Sequence, residues 1–190
     1  MVDAMRLISL LTQEDNFIDL VGRRPTVPLK EKIIELMKEA PQGTIFYYDL
    51  NEVREVNGSG IHEVIIKPLE WLYENFKSHE KFLILKNLSV EYDHLYNIQI
   101  TCNKEKVSII AQNEESYEVI GNKAGEALLE LLDFIYLHKQ VSASDLAKNL
   151  NKKHTLISTH LTKLYEYRLI SRQEEQLQEG GRQYIYNSLF

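Results

Sequence analysis

The feature that most constrains this chain is a change of hydrophobic period between residues 122 and 190. Ala124, Leu128, Leu131, Leu132 and Ile135 recur at the three-and-four spacing of one helix face, and that helix is predicted to end near His138. Ser142 and Asp145 follow with capping-box spacing, in which the hydroxyl accepts from a backbone amide while the acid reaches back, and they predict a short helix through Asn149. A third helix is predicted over 154–167, with Ile157, Leu161 and Leu164 on its inner face. The pattern then turns to strands over 168–172 and 183–187, which flank the hairpin signal Gly180-Gly181. Three apolar helix stripes followed by a hairpin bury themselves only against one another, which makes this stretch a small α+β domain.

The preceding residues alternate strand and helix. Strands are predicted over 5–11 and 16–22, joined by Gln13-Glu14-Asp15. A helix follows, with Thr26 as its cap, Pro28 in its first turn, and Leu29, Ile33, Leu36, Met37 and Ala40 at helical spacing. The β-branched and aromatic run at 44–48 predicts a buried strand. Ser59 is placed as the cap of a helix over 61–76, which Pro68 breaks or kinks near Lys67. A strand at 81–85, a short helix at 90–96, and strands at 98–102, 107–111 and 117–120 complete the reading. The resulting organisation is an α/β domain over 1–113, a connecting segment over 114–121 and the α+β domain over 122–190.

Two resemblances attach to these segments. Asp145 to Leu150, then Leu156-Ile157-Ser158-Thr159-His160-Leu161-Thr162-Lys163-Leu164, then Leu169-Ile170, resemble the bacterial winged helix-turn-helix repressors. Arg168 stands where that family usually has a glycine ending the recognition helix, and an arginine disfavours the left-handed backbone of such a corner. In the first domain, Phe17-Ile18-Asp19-Leu20-Val21-Gly22, then Asp49-Leu50, then Asn57-Gly58-Ser59-Gly60-Ile61 look like a STAS domain, the fold of anti-sigma-factor antagonists. That resemblance implies partner docking through Asn57, Gly58, Ser59, Ile61 and His62. The family's switch serine falls on Gly58 here, and the acidic residue before it falls on Asn57, so the phosphorylation switch is not expected.

Charge bears on the partner. Formal net charge is -6, yet residues 1–120 carry 13 Lys+Arg against 20 Asp+Glu while residues 121–190 carry 9 against 8. Within 138–172 seven cations face Asp145 and Glu166 alone, a local +5 that a phosphate backbone would feel. The helix at 154–167 presents His154, Thr155, Ser158, Thr159, Thr162 and Lys163 outward, with Lys152 and Lys153 at its entry. Hydroxyls donate to phosphates or bases and lysines neutralise phosphate, so these residues are the candidate DNA contacts. In the wing, Glu174, Glu175 and Glu179 oppose phosphate and leave Arg182 as the candidate cation. The alternative is a solvated helix face on a domain that docks proteins, since a fold does not fix a function.

Other classes find less support. The six histidines show no repeated ligand spacing, Cys102 is the single cysteine, and Asn57 to Gly60 lacks the lysine and spacing of a phosphate loop. No metal, cofactor or catalytic constellation is expected. No secretory signal and no apolar run of the roughly 20 residues needed to span a bilayer is visible. The expectation is a cytoplasmic, non-enzymatic regulator that binds duplex DNA as a homodimer, with a STAS-like domain for regulation or dimerisation. The alternative is a non-catalytic interaction module in a partner-switching pathway.

Overall fold

The computed structural model describes residues 5, 6, 18–114, 116–177 and 180–190 and divides the chain into two compact units, 1–123 and 124–190. The predicted turn at Gln13 to Asp15 and the rest of 7–17 lie outside the described residues.

In the first unit, strands β1 (Met5–Arg6), β3 (Ile45–Asp49), β5 (Phe82–Lys86), β6 (Ser108–Asn113) and β7 (Ser116–Gly121) form one sheet in that order. The first four run parallel and β7 returns antiparallel to β6. Parallel strands covered on both faces read as continuous apolar runs. Phe82, Leu83, Ile84 and Leu85 of β5 are accordingly all buried. Thus β7 lies within the segment expected to connect the domains. A separate parallel pair joins β2 (Ile18–Leu20) to β4 (Val53–Val56), a strand that the sequence reading missed.

Helix α1 (Arg23–Glu39) starts earlier than expected, with Gly22 at its N-cap. Thr26 is not the cap: it is buried in the first turns, and its hydroxyl donates back to the carbonyls of Gly22 and Arg23. Pro28 stands inside the helix rather than in its first turn. The C-terminal end is held by Lys81, whose buried Nζ donates to the carbonyls of Met37 and Lys38. Pro68 does not break the backbone: it stands in the first turn of the last of three abutting helical segments, whose joining residues are all right-handed helical. Short α2 (Gly58–Ile61) passes through a π-helical turn (His62–Ile66) into α3 (Lys67–Glu74).

The expected helix at 90–96 and strand at 98–102 are replaced by one helix, α4 (His94–Glu105). Ile98, Thr101 and Cys102, three and four apart, are all buried on its inner face, and this packing overrides the β-branched composition that suggested a strand. His94 anchors its start. The ring accepts the Ser89 N–H at Nδ1 (3.0 Å) and donates from Nε2 to the Arg54 carbonyl (2.8 Å).

The second unit runs α5 (Glu126–His138), β8 (Gln140–Ser142), α6 (Ala143–Asn149), α7 (His154–Glu166), β9 (Ser171–Gln176) and β10 (Arg182–Asn187), with the sheet ordered β8-β10-β9. This is a winged helix-turn-helix arrangement. The capping box forms as predicted: Asp145 N–H donates to Ser142 Oγ at 3.1 Å and Ser142 N–H to Asp145 Oδ2 at 3.2 Å. Ile157, Leu161 and Leu164 are fully buried against α5 and α6. The first wing strand begins at Ser171, not at 168, because 168–170 form the corner. Arg168 does adopt the left-handed conformation, at φ 60°. Its N–H reaches the Tyr165 carbonyl and the Leu169 N–H reaches Leu164, the paired bonds of a Schellman ending. The left-handed turn costs about 1–2 kcal/mol, and the buried guanidinium lies over the Tyr165 ring.

Candidate nucleic-acid interface

Helix α7 turns its apolar stripe to the core, so its remaining side chains form an outward face. Lys153, His154, Thr155, Thr159 and Lys163 are exposed, and Ser158 and Thr162 are half-buried. The hydroxyl of Thr159 donates to the Thr155 carbonyl and that of Thr162 to the Ser158 carbonyl, both at 2.9 Å. These back-bonds orient the oxygens, whose lone pairs stay available to an incoming donor. Ser158 Oγ sits 3.4 Å from His154 Nδ1. Lys152 departs from the expected outward set: it ion-pairs with Glu130 of α5 and is half-buried.

The wing adjoins this face. Its strands pair in register from Ser171↔Asn187 to Gln176↔Arg182, and the turn uses Gly180 and Gly181 at φ 87° and 96°. Glu179 lies outside the described residues. Arg182, expected as the wing's free cation, pairs with Glu174 at 3.0 Å, while Gln183 holds Glu175 at 2.7 Å. Both described wing carboxylates are therefore engaged by neighbours on β10.

Between the first turn of α6, the outer face of α7 and the wing lies a cleft of about 410 Å³. His154, Ser158 and Thr162 line one side, and Arg172, Arg182 and Tyr184 the other. Sequence reasoning counted Arg172 in the basic window but did not place it among the contacts. Burial pushes the Tyr186 hydroxyl above its ordinary value, while the nearby Arg172 charge pulls it back.

The expected partner-binding loop of the first unit is used differently. Asn57, not Ser59, caps α2: its Oδ1 accepts the N–H groups of Ser59 (3.1 Å), Gly60 (3.0 Å) and Gly22 (3.2 Å). Ile61 is fully buried in the core and is therefore not a surface contact. Gly58 and Ser59 are exposed, and Asn57 and His62 are half-buried. Glu63 is also buried, beside His62 (3.3 Å), Lys30 (3.5 Å) and Arg23 (3.7 Å). Burial raises its pKa, but His62 and Lys30 outweigh burial and the carboxyl ends below its ordinary range.

Among the described residues no three His, Cys, Asp or Glu side chains gather to hold a metal ion, and no helix is long and apolar enough to cross a membrane. Burial pushes the Cys102 thiol up to about 12, so it stays protonated and unreactive at neutral pH.

Residues 115–188 match the family model of the TFIIE alpha subunit, a span that covers β7 and the winged helix. Among solved structures, the chain is similar to one described as a possible transcriptional regulator from Methanosarcina mazei. The two are 22% identical with a TM-score of 0.33, over 35% of this chain and 57% of that one. No curated protein matches the chain.

Proposed function

We propose that the protein is a DNA-binding transcription regulator whose α7 enters the major groove. The observation that carries this reading is the polar outer face of α7 beside the wing, in a segment that matches a transcription-factor family model. Thr155 and Ser158 read base edges, and Lys153, Lys163 and the wing cations hold the phosphates. A single helix of this size covers only a few base pairs. A two-fold dimer, joined through 122–138 or through the first unit, sets two such helices about 34 Å apart. Residues 1–113 act as a STAS-like regulatory domain that meets a protein partner through Asn57, Gly58, Ser59 and His62.

The test is binding to genomic fragments across a salt series. A preferred fragment and a steep slope are expected, because each phosphate contact releases counterions. Replacing Lys152, Lys153 and Lys163 together by alanine weakens binding to all sequences, whereas Thr155→Ala and Ser158→Ala relax sequence preference. A folded triple variant of unchanged affinity overturns the reading, and light scattering that finds a monomer on the best fragment overturns the dimer. A second reading, a protein-docking winged helix in a partner-switching pathway, is favoured by the ion pairing of Lys152 and Arg182, which takes two cations away from DNA.

A further inference from the structure

Arg172 occupies a setting that the outward face of α7 does not account for. It stands opposite Tyr186 in the β9–β10 ladder, with Tyr184 one diagonal step away on the same face. Its guanidinium carbon lies 4.0 Å from the Tyr165 ring centroid and 4.3 Å from that of Tyr184. Two rings thus hold the guanidinium at the wall of the cleft. Among the described residues no carboxylate ion-pairs with it, whereas Arg182 is taken by Glu174.

A cation held in this way has already lost the rotamer freedom that a surface lysine gives up only on binding. Its planar donor fork matches two oxygens of one phosphate, and the aromatic walls lower the local dielectric. Across the cleft, His154, Ser158 and Thr162 of α7 form the facing wall, with the Thr162 hydroxyl proton already given to the Ser158 carbonyl. We propose that this cleft is a binding pocket for one backbone phosphodiester of duplex DNA, with Arg172 as its preorganised anchor. The inference rests on the DNA-binding reading above. It adds that the seam between α7 and the wing, rather than the wing tip, fixes how deeply α7 sits in the groove.

The test uses the full chain on its preferred DNA fragment, comparing wild type, Arg172→Ala and Arg172→Lys, with thermal melting followed by circular dichroism to verify the fold. Arg172→Ala is expected to lose about tenfold in affinity and to reduce the salt slope by about 0.9, the value of one phosphate contact, with sequence preference unchanged. Arg172→Lys keeps the charge and the slope but binds less tightly, since an ammonium neither stacks nor forks. If wild type binds DNA and a folded Arg172→Ala variant shows the same slope, the pocket is overturned and the DNA reading stands. A relaxed sequence preference at constant slope makes Arg172 a base reader and also overturns it. If wild type binds no DNA, both readings fall.

Discussion

At the start of α2, one side-chain oxygen of Asn57 accepts three backbone N–H groups, and Ile61 and Glu63 just beyond it are buried. Along the outer face of α7, Lys153, Thr155, Thr159 and Lys163 stand exposed. Both stretches are short, polar, and sit at or near a helix N-terminus, and from composition they look equally suited to binding. Hydrogen-bond accounting separates them. The first spends its polar groups on joining β2, α1 and α2, whereas the second closes its own backbone bonds and leaves Lys153, Thr155 and Lys163 exposed.

The strongest way to break this comparison is Gly60→Ala. A Cβ on Gly60 would lie 1.8 Å from the Leu20 carbonyl oxygen, so backbone must move apart. A loss of about 4 kcal/mol or more is expected in the first unit. It is read by urea unfolding followed through Trp71, the chain's single tryptophan, which lies in that unit. A variant that melts like wild type would show that the junction is pliable and that its polar groups are not committed. Asn57→Ala comes next, at about 2 kcal/mol, because it strands N–H groups that share one acceptor. Asn57→Asp keeps an acceptor oxygen and is expected to restore most of that loss. Equal losses in the two variants would show that the acceptor is not what matters.

How much of this was legible in the sequence depended on range. The Ser142–Asp145 box and the Ile157, Leu161 and Leu164 stripe each depend on residues within a few positions, and each is found as read. The cap at Asn57 also required Gly22, which lies 35 positions earlier, and so Ser59 was chosen on local grounds. In α4, Ile98 and Thr101 have the composition of a strand, and their burial, with α4 packed on β7, favours the helix. The setting of Arg172 depends on Tyr165 from α7 and Tyr184 from β10, a conjunction that only the folded hairpin creates. Strands β4 and β8, of four and three residues, are too short to show alternation by themselves.

Acidification sharpens the contrast between the units. Burial holds the His94 ring below its ordinary value of 6.5, although its bond to the Arg54 carbonyl pulls the other way. Below 6.5 the unfolded chain takes up a proton that the folded ring resists, so stability is lost as pH falls, at a slope below the one-proton limit of about 1.4 kcal/mol per pH unit. In the second unit the shifted acid is Asp145, lowered chiefly by the Ser142 hydroxyl hydrogen bond. Its contribution is present above the ordinary carboxylate value and is lost only as pH falls through the lower folded value. Between pH 6.5 and 5 the Trp71 urea midpoint should therefore fall. His94→Gln should remove the pH slope at a cost in stability. A midpoint that does not move over this range would show that His94 is protonated without penalty.

The smallest expected effect tests the comparison from the side of α7. Lys152 and Lys153 are adjacent in sequence, but Lys152 is half-buried against Glu130 and Lys153 is exposed. An ion pair with this exposure contributes under about 1 kcal/mol to stability, so Lys152→Ala should barely move the melting temperature. On DNA, a phosphate has to compete with Glu130 for Lys152, whereas Lys153 meets it without a rival. Lys153→Ala should therefore reduce the salt slope by about 0.9, and Lys152→Ala by clearly less. Glu130→Gln, which releases Lys152, should raise affinity and steepen the slope. Equal slopes in the two lysine variants, with no gain from Glu130→Gln, would mean that the pair opens on DNA. Engagement in the free protein would then be no guide to which side chains a helix reserves for its ligand.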